Sequence, residues 1–252
     1  MGSFVMAQTY RVRDWQTRRK KTDWRNDHSH CLSCGYRLRP YDNIPLVSWL
    51  VLRGKCRKCR KPIGWPEFLT ELGLGLVFLA SWLLWPTIFP TDGWMFIPTL
   101  AIFLLLITLL AFLFVYDARY KRLPMGAMLL CSVIAAIFVI ISKWGVEINM
   151  NLVLDYLGAL FVLPLLYFLL YKISGEKLVG SGDYLLALPI ALVLGSFWLS
   201  FVTLFLANFI GSIVMLPMRK RLKAKIPFGP FLIAGFLIAF LAQSVLLPLF
   251  TL

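Results

Sequence analysis

The chain has 252 residues, of which 60 % are hydrophobic, a mean hydropathy of +0.77 and a formal net charge of +14. That apolar content exceeds what a soluble globular domain of this length carries, which excludes a soluble enzyme or binding module. The basic surplus comes without a recognition helix or the aromatic pattern of a nucleic-acid-binding sheet, so no nucleic-acid partner is expected.

The charge is concentrated early in the chain. Fifteen of the 26 Lys and Arg residues fall between Arg11 and Lys61. Residues 10–66 therefore read as a polar, basic domain on the cytoplasmic side, where positive charge flanks membrane spans and is attracted to anionic lipid headgroups. Within it lie two short knuckles, CLSC at 31–34 and CRKC at 56–59, with 21 residues between the inner cysteines. Two such pairs can supply four sulfurs to one tetrahedral ion, and the reducing cytosol disfavours disulfides. Cys31, Cys34, Cys56 and Cys59 are thus candidate ligands of a structural zinc ion. Arg53, Lys55, Arg57 and Lys58 favour the thiolate forms, while His28 and His30 are weaker competitors for the same metal. Cys131, inside an apolar helix, reads as a packing residue.

Uncharged runs follow at Leu72–Thr91, Gly93–Tyr116, Leu123–Ser142, Tyr156–Tyr171, Tyr184–Met218 and Ile226–Leu252. A helix needs about 20 apolar residues to cross the hydrocarbon core. The fifth run is long enough for two short spans broken near Gly195-Ser196, the first starting near Leu178. The expected fold class is therefore an all-α polytopic membrane protein with about seven transmembrane helices. Placing residues 10–66 inside makes every inner connection basic, including Arg219–Lys225 with five basic residues. The outer connections, at Pro86–Pro90, Lys143–Asn151 and Gly195-Ser196-Phe197, are nearly neutral.

Few acids sit in or beside these runs: Glu67, Glu71, Asp117, Asp155 and Asp183. Intramembrane ionisable residues are functional candidates by default. Asp155 lies near an outer helix end, where solvent or a cap satisfies it, and Glu67 reads as an interfacial charge. Asp117 closes a long apolar run and precedes ARYKRLP, so a helix-end ion pair with Arg119, Lys121 or Arg122 is one reading of it. Asp183 has no basic residue within five positions. Gly180 and Gly182 beside it allow close backbone approach and non-helical dihedrals. The topology puts both aspartates at the inner ends of different spans. Two carboxyls that meet there cannot both ionise freely, which leaves one acid and one base. Such a pair can activate water against a peptide carbonyl.

These residues resemble a known family. GSGD (Gly180–Asp183), DARYKRLP (Asp117–Pro124), NIPLVSWLVLRGKCRKCRKPI (Asn43–Ile63), PFGPFL (Pro227–Leu232) and GSFVMAQTYR (Gly2–Arg11) together resemble the type IV prepilin peptidases. These are bifunctional leader peptidases and N-methyltransferases of the GxGD membrane aspartyl proteases. The resemblance implies that Asp117 and Asp183 are the catalytic pair, with Gly180 and Gly182 as active-site backbone. It implies cleavage of prepilin or pseudopilin precursors after a glycine, in pilus assembly or protein secretion. It also implies methylation of the new N-terminus from S-adenosylmethionine. Glu71 and Gly75, in ELGLG, match the methylation motif, and a carboxylate at the inner boundary could hold the ammonium of the new terminus. The implied organisation is 1–9 as the inner end of a first transmembrane helix, 10–66 as the cytoplasmic domain and 67–252 as the protease domain, in the cell's inner membrane.

The sequence departs from the family pattern in places. Members usually carry another helix before GSF, of eight in all. The acid often found after the Pro of the first aspartate motif is Met125, the Lys two residues after the second aspartate is Leu185, and Glu67-Phe68 replaces a Tyr-Pro ahead of Glu71. Two alternatives stand beside the bifunctional reading: a peptidase without methyl transfer, and a non-enzymatic membrane-anchored zinc scaffold. A proton or ion pathway through the two acids would want more polar residues deeper in the helices.

Overall fold

Eleven α-helices form among the residues that the computed structural model describes, namely 2–18, 30–31, 33–44, 46–89, 93–175, 180–216 and 227–250. They are α1 (Gly2–Arg18), α2 (Val47–Val51), α3 (Trp65–Ile88), α4 (Phe96–Tyr120), α5 (Met125–Ser142), α6 (Met150–Leu160), α7 (Leu166–Ser174), α8 (Ser181–Leu194), α9 (Phe197–Met215), α10 (Gly229–Leu241) and α11 (Gln243–Phe250). His28, Leu178, Pro90 and the basic connection 219–225 lie outside the described residues. The chain divides into two compact units, Met1–Leu79 and Ala80–Leu252.

Among the described residues, five helical segments are long and apolar enough to cross a membrane: α3, α4, α5, α9 and the continuous run Met150–Ile173. This last run joins α6 to α7 through a π-helical stretch, Phe161–Leu165, that contains Pro164. A proline has no N–H for the regular ladder, and the wider turn absorbs that defect. The run begins earlier than Tyr156 because Asn149 caps it, its Oδ1 accepting the Leu152 N–H at 2.8 Å, a favoured start signal.

Two of the about seven expected spans take a form other than a single long helix. Helix α8 has 14 residues, which reach about 21 Å at 1.5 Å per residue, short of a ~30 Å hydrocarbon core. It stops where expected: Gly195 adopts φ 55°, and a Cβ there would lie 2.7 Å from the Tyr156 ring. The last run is a pair, α10 and α11, bent by 78°. The bend lays Phe250 on Trp198 at the start of α9, with centroids 4.8 Å apart and planes 7° from parallel. The structure thus offers five spans, or six with the bent pair, plus the short α8.

Large apolar side chains are exposed in stripes at four-residue spacing, Leu129, Val133 and Ile137 on α5 and Phe201, Phe205 and Phe209 on α9. Stripes of this kind face hydrocarbon. This is a multi-pass membrane protein.

Inside the second unit, aromatic rings hold the helices together. Phe103 of α4 stacks on Phe240 of α10 at 4.4 Å, and Trp85 of α3 and Phe138 of α5 lie 5.1 and 5.9 Å from Phe103. Each such pair adds about 0.5–1.5 kcal/mol beyond its buried area. Helix α9 buries Leu199, Ser200, Thr203, Ala207 and Gly211, a seam of mostly small residues that lets backbones approach. Gly235 of α10 meets that seam, where a Cβ would lie 2.8 Å from the Thr203 carbonyl oxygen and 3.0 Å from the Ala207 nitrogen. Backbone cannot yield as a side chain does, so Gly235→Val should lower the melting temperature in detergent, at a cost of about 1–3 kcal/mol. An unchanged melting curve would show that the α9–α10 contact is looser than this.

Candidate active site and metal centre

The two units each gather part of the candidate chemistry. In Met1–Leu79 the two knuckles fold alike. The Cys31 N–H donates to the Tyr36 carbonyl at 2.9 Å and the Gly35 N–H to the Cys31 carbonyl at 2.9 Å. In the second knuckle the Cys56 N–H donates to Lys61 at 2.9 Å and the Arg60 N–H to Cys56 at 3.0 Å. Gly35 and Arg60, both four residues after the first cysteine, take left-handed φ values of 67° and 58°. Short antiparallel bridges, His30 with Arg37 and Lys55 with Pro62, close each knuckle. Arg57 ties the second knuckle to the turn at Pro40–Asn43 through a 2.8 Å salt bridge to Asp42, and its guanidinium lies 4.9 Å from the Tyr41 ring centroid.

This frame brings the four thiols together. Their Sγ atoms all lie within 4.8 Å of one another, and those of Cys31 and Cys59 are 3.9 Å apart. Tetrahedral coordination with 2.3 Å bonds needs about 3.8 Å between sulfurs. The set is a metal-ligand constellation. The backbone N–H of Cys59, with that of Lys58, pulls the Cys56 thiol down to about 7. Cys34 goes to about 11: the Tyr36 backbone lowers it, but desolvation and the three neighbouring thiols outweigh that. Four sulfurs so close hold four negative charges only around a cation.

On α3, the Oε2 of Glu71 accepts the Leu46 N–H at 2.7 Å. Leu46 adopts φ 59° and ψ −49°, a strained conformation for a branched residue that the surroundings must hold in place. Glu71 thus pins the start of the stretch LVSWL. Gly75, one turn further, is exposed and has open space where a Cβ would project.

The second unit, Ala80–Leu252, brings Asp117 and Asp183 together. Asp117 lies in the last turn of α4, whose end is fixed by Lys121 at φ 54° with its N–H on the Asp117 carbonyl at 2.8 Å. Asp183 lies in the first turn of α8. The side chains are 5 % and 9 % exposed, and the carboxyls interact electrostatically. Gly182 makes the approach possible: a Cβ there would lie 2.9 Å from Cδ1 of Leu123, in the turn that follows Asp117. Gly180 acts differently. Its φ of −80° and ψ of 157° suit any residue, and its contribution is the N–H that donates to Asp183 Oδ2 at 3.0 Å.

A residue that sequence reasoning left without a role completes this arrangement. The N–H of Gly229, at the start of α10, donates to Asp117 Oδ2 at 3.1 Å. A Cβ on Gly229 would lie 2.8 Å from that same oxygen and 3.4 Å from Leu186, one turn beyond Asp183. Both carboxylates therefore face helix N-termini, where free N–H groups and the helix dipole favour negative charge. The available signal was PFGPFL, a glycine before the proline that starts a helix.

Comparison with known proteins agrees in both units. Residues 1–85 match the bacterial peptidase A24 N-terminal domain, and residues 104–216 match the type IV leader peptidase family. A type 4 prepilin-like proteins leader peptide-processing enzyme of Escherichia coli is 33 % identical over 214 residues, covering 82 % of this chain and 72 % of that protein. The chain belongs to the type IV leader peptidase family. A prepilin leader peptidase/N-methyltransferase of Pseudomonas aeruginosa is 32 % identical over 218 residues, 83 % of this chain and 70 % of its own length. The enzyme of that name from Stutzerimonas stutzeri is 29 % identical over 262 residues, 93 % of this chain and 85 % of its own length. No solved structure matches. As a member of this peptidase family the chain is an enzyme.

The cysteine geometry yields a direct expectation. Purified protein should carry about one metal ion per chain by elemental analysis, matching one four-thiol set. Cys56→Ser should lose most of it while Cys131→Ser retains it. Equal metal content in both variants would remove the cysteines as ligands.

Proposed function

We propose that this enzyme is a prepilin leader peptidase of the inner membrane, and that Asp117 and Asp183 form its catalytic pair. The observation that carries the reading is the meeting of two buried carboxylates, from helices α4 and α8, at one end of the bundle. Water is the nucleophile. One carboxylate takes a proton from it as its oxygen bonds to the scissile carbonyl carbon, while the protonated partner hydrogen-bonds the carbonyl oxygen. The tetrahedral intermediate then collapses, the C–N bond breaks, and the leaving amine receives the proton. Neither acid has a fixed role at rest, because the proton belongs to the pair.

The substrate is a prepilin-like precursor, as the names of the relatives suggest, and its cleavage site lies next to a membrane segment. The basic domain 10–66 faces the cytoplasm and anionic lipid, its four cysteines hold structural zinc, and residues 67–252 form the protease domain. S-adenosylmethionine is the donor for methylation of the new N-terminus, as the relatives' names suggest. Glu71 serves that reaction by holding the Leu46 turn, with its second oxygen left to attract an ammonium group. The bond from Leu46 supports this role over that of a solvated acid. Gly75 adds an open surface one turn along the same face.

The test is a cleavage assay on a prepilin-like substrate in detergent or nanodiscs. Asp117→Asn and Asp183→Asn should each lower kcat by about 10²–10⁴, the range of a lost acid–base group, without loss of folded protein. Gly229→Ala pushes a carboxylate sideways and should cost about 10² in rate. Wild-type rates in both aspartate variants would overturn the proposal.

A further inference from the structure

The reaction proposed above places charge on the scissile carbonyl oxygen, and a buried hydroxyl on a helix packed against the starts of α8 and α10 has the chemistry to receive it. Tyr167, on α7, is 3 % exposed. Its hydroxyl is buried and has no hydrogen-bond partner. The Asn208 side chain lies near enough to interact with the phenol; one N–H of its Nδ2 donates to the Leu204 carbonyl at 2.8 Å, and no hydrogen bond joins it to the hydroxyl. The phenol also interacts electrostatically with Asp183.

Packing on two sides fixes where this hydroxyl can be. The Tyr167 ring lies 5.5 Å from that of Phe228, the residue before Gly229, whose N–H holds Asp117. The neighbouring Phe168 and Tyr171 each lie 5.4 Å from the ring of Tyr184, the residue after Asp183. Helix α7 is thereby wedged against the starts of both α8 and α10. The π-helical stretch Phe161–Leu165 ends just before it, a widening of the helix that often accompanies functional sites. Leaving a buried hydroxyl unpaired costs about 1–3 kcal/mol, and native structures seldom tolerate this without a purpose.

We propose that Tyr167 is a further catalytic residue, whose O–H donates to the scissile carbonyl oxygen and to the oxyanion that develops on it. Its partner arrives with the substrate. A donor already fixed in a buried site needs no reorganisation as charge develops, so its effect is felt in the transition state more than in binding. No proton leaves the phenol: the hydrogen bond shortens as the carbonyl π bond opens and relaxes when it re-forms. This inference rests on the reading of Asp117 and Asp183 as the pair that activates water.

The experiment is Tyr167→Phe, which keeps the ring against Phe228 and removes only the hydroxyl. Its kcat should fall by about 10²–10³, as for loss of one oxyanion donor, with KM nearly unchanged. A peptide analogue carrying a tetrahedral hydroxyl at the scissile position should lose affinity by the same factor, while an uncleavable ground-state peptide binds as before. The melting temperature should hold or rise, because an unpaired polar group has been removed. Wild-type kcat, or equal weakening of analogue and ground-state peptide, would overturn the proposal. A fall in melting temperature with loss of all binding would also overturn it, as the mark of a structural residue. If Tyr167→Phe proves too unstable to assay, Tyr167→Met keeps a flexible apolar side chain there, smaller than the ring, and should show the same kcat loss. Asp117→Asn and Asp183→Asn run alongside separate the two readings. Inactive aspartate variants beside a fully active Tyr167→Phe defeat only the tyrosine; active aspartate variants defeat the pair itself.

Discussion

A long-range hydrogen bond from the Gly229 N–H to the Asp117 carboxylate, made between residues 112 positions apart, sets the geometry of the aspartate pair in the second unit. It joins the end of α4 to the beginning of α10. The opposite ends of the same two helices are joined by the stack of Phe103 on Phe240. Two fastenings of opposite chemistry, one polar and one aromatic, therefore set α4 and α10 antiparallel and in register. Helix α8 enters beside them. Gly182 seats its first turn against Leu123 and brings Asp183 beside Asp117. A buried carboxylate that costs several kcal/mol to desolvate is tolerable there because each aspartate has a backbone N–H to accept from.

Much of this was legible in the sequence, and the reasons differ from residue to residue. The break between α8 and α9 could be read from Gly195-Ser196 because a left-handed glycine is a local demand. The cysteine set could be read from spacing, since each knuckle closes within six residues. Asp183 announced itself as an acid in an apolar run. The bend at Ala242 carries no such signal: neither glycine nor proline marks it, and the contact that accompanies it, Phe250 on Trp198, is made across more than fifty residues of chain.

The residues that sequence reasoning passed over share one property. Gly229 and Tyr167 matter through partners far away in the chain. A glycine at a helix start reads as a turn, and a tyrosine in an apolar run reads as packing. Only tertiary structure shows that one donates to Asp117 and that the other buries an unpartnered hydroxyl while its ring packs on Phe228. The glycines of GSGD separate in the same way. Gly182 is required by the contact it permits, whereas Gly180 serves through a backbone N–H that any non-proline residue would have.

The claim on which the rest stands is that Gly229 and Asp117 act as one unit at the end of the bundle. A double-mutant cycle on thermal stability in one detergent tests it without recourse to activity. Gly229→Ala should lower the melting temperature in the wild-type background, where the new methyl meets Asp117 Oδ2, and have little effect beside Asp117→Ala. Equal shifts in the two backgrounds would mean that the glycine and the aspartate are independent, contradicting the account.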